Sequence, residues 1–191
     1  AFSMDILSAD WSMVFAVLAV LSMTVGNLVA IRQSNIKRLL AYSTVAQAGY
    51  LMVGVAAIAT RTPDAQFESG PSGVLFYLAG YAVTNLAAFA TIIAISNRID
   101  SDQIDDFAGM VRRAPYLSAV LALAMISLIG LPPTVGFMAK IYIFGAAIDT
   151  NLEWLAIAGV VNSVLSAYYY LRVVKVMYFS PAPSEDSIST A

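Results

Sequence analysis

Lys140 is a charge set deep inside an apolar run, and the stretch GLPPTVGFMAK, Gly130 to Lys140, puts two adjacent prolines and two glycines just before it. It lies nine residues before Asp149, about 13 Å by helical rise. If the run crosses a membrane, that depth is too great for the side chain to snorkel out, and Lys140 sits near the midplane. Ionisable residues at such depth are costly and by default mark an ion or proton pathway. Desolvation disfavours the ammonium, whereas carbonyls at a helix C-terminus favour it, and opposing influences of this kind poise a group to load and release a proton. A structural lysine bonded to freed carbonyls is the alternative. No Asp or Glu falls in the interior of any apolar run, so whatever balances Lys140 is expected from outside this segment.

The prolines explain how backbone would reach the lysine. Pro133 has no amide proton and clashes with the preceding turn, Pro132 pushes Leu131 out of helical space, and Gly130 and Gly136 loosen the flanks. The pattern predicts two half-helices, about 116–130 and 133–148. Carbonyls and amides freed by such a break are tolerated in lipid only when buried in protein or facing water. A proline kink repaired by neighbouring helices is the plainer reading. Helical spacing also lines up polar stripes: Ser43, Gln47 and Tyr50; Tyr77, Tyr81, Thr84 and Asn85; and Asn162, Ser163, Ser166 and Tyr170. These could line a hydrated path, although small and polar residues also mediate ordinary helix packing in membranes.

The elements that must position these residues follow from composition. Of 191 residues, 60% are hydrophobic and only 12% charged, a balance that marks a membrane protein. Five apolar segments are long enough to span, roughly 11–31, 36–59, 72–96, 115–148 and 154–178. The fold class is therefore an all-α, polytopic transmembrane bundle over residues 1–180, its fourth segment discontinuous, followed by a polar and disordered tail at 181–191. A straight helix over 115–148 would be about 50 Å long, against about 30 Å of hydrocarbon.

Arg32, Lys37, Arg38, Arg98, Arg112, Arg113, Arg172 and Lys175 fall on one set of connections, and Arg61 alone falls on the other, with Asp64, Glu68, Asp149 and Glu153. The positive-inside rule places the N-terminus outside and the C-terminal tail in the cytoplasm. Trp11 and Trp154 fall at predicted outer boundaries as headgroup anchors.

A formal charge of −2 without a basic surface excludes nucleic acid as a partner. With no Cys and no His, the chain has no disulfide, haem, iron–sulfur or His-type zinc ligands. No metal or cofactor site is expected in it, and any redox chemistry must take place in another subunit. The stretches VGNLVA and LAGYAV lack the spacing of a phosphate-binding loop. No cationic leader precedes the first apolar stretch and the chain opens on Ala1, which predicts a piece of a longer chain without a signal peptide.

Four blocks in order, GNLVAIRQSNIKRLLAYSTVAQAGYLMVG, YLAGYAVTNLAAF, SLIGLPPTVGFMAKIYIF and NSVLSAYYYLRVVKVMYF, run from Gly26 to Phe179, within a resemblance that extends over about residues 11–178. They closely resemble the antiporter-like subunits N of bacterial NADH:quinone oxidoreductase, respiratory complex I, within a wider proton-conducting family that includes subunits of cation/proton antiporters and membrane-bound hydrogenases. The resemblance implies fourteen helices arranged as two five-helix units related by an inverted repeat, each with a broken helix and a key lysine. The five segments match the second unit, and Lys140 matches the lysine of its broken helix. The first unit, the remainder of the chain, is absent here.

The implied function is proton translocation coupled to electron transfer from NADH to quinone in a bacterial inner membrane, with other membrane subunits and the lipid bilayer as partners. NADH, flavin, iron–sulfur clusters and quinone would be held by other subunits. Relatives often carry histidines in this half; here water and hydroxyl or amide side chains would have to fill those places. A sodium/proton antiporter subunit and a non-conducting membrane scaffold are the alternatives. Lys37, in the NIKRLLAY block, is expected as an interfacial anchor.

Overall fold

The computed structural model describes residues 2–60 and 69–181. The tail beyond residue 181, together with Arg61, Asp64 and Glu68 of the predicted outer connection, lies outside the described residues. Those described form helices joined by short connections: α1 (Phe2–Ile31), α2 (Ile36–Ala59), α3 (Ser69–Ile99), a 3-10 turn (Ile104–Phe107), α4 (Met110–Arg113), α5 (Pro115–Ile129), α6 (Val135–Asp149) and α7 (Glu153–Phe179). Local signals set the boundaries. The Asn35 side chain accepts a hydrogen bond from the Arg38 amide at 3.0 Å and starts α2. Pro115 opens α5, where its missing N–H costs nothing.

Among the described residues four helices are long and apolar enough to cross a membrane: Trp11–Ile31 within α1, α2, Pro71–Ile99 within α3, and α7. The residues of the predicted fourth segment form α5 and α6, fifteen residues each, about 22 Å apiece and too short to span singly. Helix α6 starts at Val135, two residues later than the sequence pattern predicts. Thr134 is the reason: its backbone is extended and its hydroxyl accepts from the Phe137 amide, an N-cap that holds Pro133 outside the helix. Helix α1 reaches back well before the predicted position 11, so Trp11 is an exposed residue within a helix, whereas Trp154 stands exposed at the start of α7.

The outer surface is apolar. Val83, Leu86 and Val164 are each about 70% exposed, an arrangement that water would penalise and lipid does not. Helices α1 and α2 approach closely at Gly26 and Gly49, where a Cβ would come within 2.7 Å of a backbone nitrogen of the facing helix; small residues serve this purpose in membrane bundles.

Two apolar clusters fill the interior. One gathers Leu39, Ile92, Phe107, Leu121, Met125 and Val173; the other gathers Met23, Val53, Tyr77, Ile143 and Leu155. Between them each long helix contributes polar side chains: Asn27 from α1, Ser43 and Gln47 from α2, Thr84 and Asn85 from α3, and Asn162 and Ser166 from α7. Helix α5 feeds only the first cluster and α6 only the second, so the gap between them falls level with this polar belt.

The basic connections converge at one end. The Ile36 amide donates to Asp102 O and the Ile104 amide to Ser34 O, both at 2.9 Å. Arg172 reaches Gln33 O at 3.5 Å. Lys37, expected as an anchor at the membrane edge, pairs with Asp102 at 2.7 Å and holds that carboxyl below the usual carboxylate range.

Candidate functional site

The last four carbonyls of any helix lack intrahelical donors, and in α5 these are Ile126, Ser127, Leu128 and Ile129. Gly130 turns into the left-handed region with φ of 85°. Its amide donates to Ser127 O at 3.0 Å and the Leu131 amide to Ile126 O at 3.3 Å, the pattern of a Schellman cap. Two carbonyls remain. Gln47 Nε2 donates to Leu128 O at 3.1 Å, and Lys140 Nζ donates to Ile129 O at 2.7 Å. The lysine is thus the donor that completes the end of α5, with its charge where the helix dipole favours a cation.

Lys140 is only 6% exposed. Its ammonium also donates to Ser163 Oγ at 3.1 Å and reaches Leu128 O at 3.5 Å. Among the described residues no carboxylate pairs with it; Lys37 with Asp102 is the ion pair found there. Gly136 brings the two helices together, since a Cβ at that position would lie 1.8 Å from Ser127 O. The Lys140 stem packs over Gly130, with Cδ 3.0 Å from the point a Cβ would occupy. Pro132 and Pro133, joined by a cis peptide bond, lie in the connection from Gly130 to Thr134.

The other residues singled out from the sequence divide into groups on either side of the ammonium. On one side Tyr77 donates to Gln47 Oε1, Gln47 Nε2 approaches the Tyr170 hydroxyl at 3.5 Å, and Tyr170 donates to Ser43 Oγ at 2.8 Å. Gln47, Tyr77, Tyr81, Thr84, Ser127 and Lys140 share a cavity of about 20 Å³, room for one water molecule with polar partners around it. Tyr81 donates to Thr44 Oγ1 at 3.0 Å, and Thr84 lies 3.4 Å from Ser127 Oγ.

On the other side stands Ser163. Ser166 turns back to Ser163 O at 2.7 Å and does not reach the lysine. Asn162 belongs to a separate cluster with Asn27, Thr24 and Tyr169. Asn85 Oδ1 is buried without a hydrogen-bond partner among the described residues. Sequence spacing had not singled out Asn27, Thr44 or Ser127. The one available signal was their polarity within apolar runs, and only the packing shows that they face inward. No group of His, Cys, Asp or Glu side chains among the described residues could hold a metal ion.

The family model for NADH:quinone oxidoreductase/Mrp antiporter transmembrane proteins matches residues 1–166. NADH-quinone oxidoreductase subunit N of Trichlorobacter lovleyi is 47% identical over 178 residues, covering 93% of this chain and 35% of that protein. A chain in the Mrp complex of a Dietzia species superimposes with a TM-score of 0.81 at 27% identity, over 92% of this chain and 31% of that one. Respiratory complex I of Thermus thermophilus with bound NADH gives 0.81 at 25% identity, over 93% and 36%. This chain therefore spans about a third of the length of the curated relatives it matches. The family match takes in Lys140 and the helices before it, the likeness in three dimensions covers more than nine-tenths of the chain, and the chain belongs to the NADH:quinone oxidoreductase/Mrp antiporter transmembrane family.

Proposed function

We propose that this chain is a proton-translocating membrane part of an NADH:quinone oxidoreductase subunit of the N type, and that Lys140 is its proton carrier. The observation that supports this most directly is a buried ammonium without a carboxylate partner among the described residues, bonded to the last carbonyl of α5 and bordering a water-sized cavity. Helices α5 and α6 act together as one discontinuous crossing, so that the five-segment unit over residues 1–180 has its break in the polar belt. A proton arriving through water in the cavity beside Gln47, Tyr81 and Thr84 loads the amine. The ammonium is held by Ile129 O and Ser163, and gives its proton up when a charge outside this segment changes. The electron-transfer groups, NADH, flavin, iron–sulfur clusters and quinone, belong to other subunits. The partners are those subunits, the lipid of a bacterial inner membrane, and the remainder of the subunit's own chain.

The three-dimensional likeness to an Mrp complex chain favours a second reading, a sodium/proton antiporter subunit. The two separate in vesicles containing the complete complex, with every sodium salt replaced by choline. NADH oxidation is expected to pump protons at an unchanged ratio to electrons. Pumping that stops without sodium favours the antiporter.

The orientation is part of the proposal, with the basic connections on the cytoplasmic side. A cysteine placed beside Asp149 is expected to react with an impermeant reagent from outside, and one beside Asp105 only from the cytoplasmic face. Labelling from the reverse sides rejects this orientation.

A further inference from the structure

We infer that the aromatic ring of Tyr50 is the counter-group of the Lys140 ammonium, its π face standing where a carboxylate would be expected. The inference rests on Lys140 as proton carrier and adds the group that makes its charged state tolerable. Lys140 Nζ lies over the Tyr50 ring, 4.5 Å from its centroid, within the range of a cation–π contact. Tyr50 is wholly buried, and its hydroxyl has no hydrogen-bond partner among the described residues. The hydroxyl is turned towards Ser163, Ser166 and Asn27 without forming a well-aligned hydrogen bond to any of them, and it is the ring face that meets the ammonium.

The ring is also held in place. Phe144 meets it edge-on, with centroids 6.3 Å apart and planes at 63°. Phe144 in turn occupies the space left by Gly159, where a Cβ would come within 2.5 Å of Phe144 Cε1. The remaining neighbours of the ammonium are the carbonyl end of α5, whose dipole favours a cation, and the Ser163 hydroxyl, and none of them carries a full negative charge. Ile129 O and Ser163 Oγ are neutral acceptors, and Leu128 O, at the 3.5 Å limit, already accepts from Gln47.

The chemistry suits a group that must cycle. A carboxylate beside a desolvated lysine would hold the ammonium through a strong ion pair or take its proton. A π face attracts the cation but has no proton-accepting site at neutral pH. When the proton leaves, a neutral amine remains over a neutral ring and no unpaired buried charge is created.

The test replaces Tyr50, in the assembled complex, by Phe and by phenylalanines carrying increasing numbers of ring fluorines, which drain the π face while barely altering shape. Taking the protons per electron pair that Lys140→Ala removes as the share of this path, Tyr50→Phe is expected to keep that share within about twofold, and the most fluorinated ring to cut it roughly tenfold relative to Phe, with intermediate members in order. Uncoupled NADH:quinone electron transfer, measured in the same membranes, reports assembly and is expected to stay constant. A pumping rate that does not fall along the fluorine series overturns the inference, as does a Tyr50→Phe complex that assembles but fails to pump. Lys140→Ala run alongside separates the two ideas. If it lowers the protons pumped per electron pair while the fluorine series is flat, only the role of the ring fails; if Lys140→Ala pumps normally, the carrier reading itself is wrong.

Discussion

Lys140→Ala in the intact complex is expected to uncouple proton transfer through this segment from electron transfer, lowering the protons pumped per electron pair while NADH oxidation continues. A positioned proton-transfer side chain contributes roughly 10²–10⁴-fold to rate, so flux along this path should become negligible beside the remainder. The structure indicates what else the substitution costs. Ile129 O loses its donor, and an unsatisfied buried carbonyl costs about 1–3 kcal/mol. That is a local penalty at the end of α5, and it leaves both apolar clusters packed. Assembly is therefore expected to survive, which makes proton-to-electron stoichiometry in reconstituted vesicles readable.

Lys140→Arg sharpens the same experiment. Arginine keeps the charge and can donate to Ile129 O, so a lysine serving only to cap α5 would accept it. A carrier would not, because a guanidinium does not release its proton at physiological pH. Pumping by Lys140→Arg equal to that of the unaltered complex would make the lysine a counter-charge for the helix end and remove it from the proton path.

How much of this was legible beforehand depended on whether the signal was local. Pro132 and Pro133 announced an interruption because a missing N–H and a steric clash need no knowledge of neighbours. The position of the restart is equally local, in Thr134 and the Phe137 amide it caps three residues later, but Pro133 suits the first turn of a helix as well, so the prolines alone do not fix it. Periodicity put Ser43 and Gln47 on one face of α2. It could not tell that Gln47 would take the Leu128 carbonyl while Ser43 accepts from Tyr170, because those partners lie 81 and 127 residues away along the chain. The same limit explains Ser166, which shares a face with Ser163 yet bonds back to its own helix. Tyr50 was visible as a member of a stripe. That its ring would face the ammonium depends on how α2 and α6 pack, and a stripe carries no such information.

Gly136→Ala is expected to disable the site without removing a polar group. The added Cβ would lie 1.8 Å from Ser127 O, and the obstacle is backbone, so no rotamer change relieves it. The start of α6 must move away from the end of α5. Lys140 stands one turn further along α6, on the same side as Gly136, and its 2.7 Å bond to Ile129 O cannot survive a displacement of an ångström or more unaltered. Overpacking of this kind costs about 1–3 kcal/mol or more, and here the displacement falls on the residues that hold the proton carrier. Pumping is expected to fall nearly as far as in Lys140→Ala, with a lower melting temperature of the complex. Gly145→Ala is the matched control. It is the same substitution on the same helix, two and a half turns on, with no atom within 4 Å of the added Cβ, and a helix-interior Ala gains roughly 0.5–1 kcal/mol over Gly. If both variants pump alike, the close approach of α5 and α6 does not set the geometry of Lys140; a loss confined to Gly136→Ala places the coupling at the contact between Ser127 and Gly136.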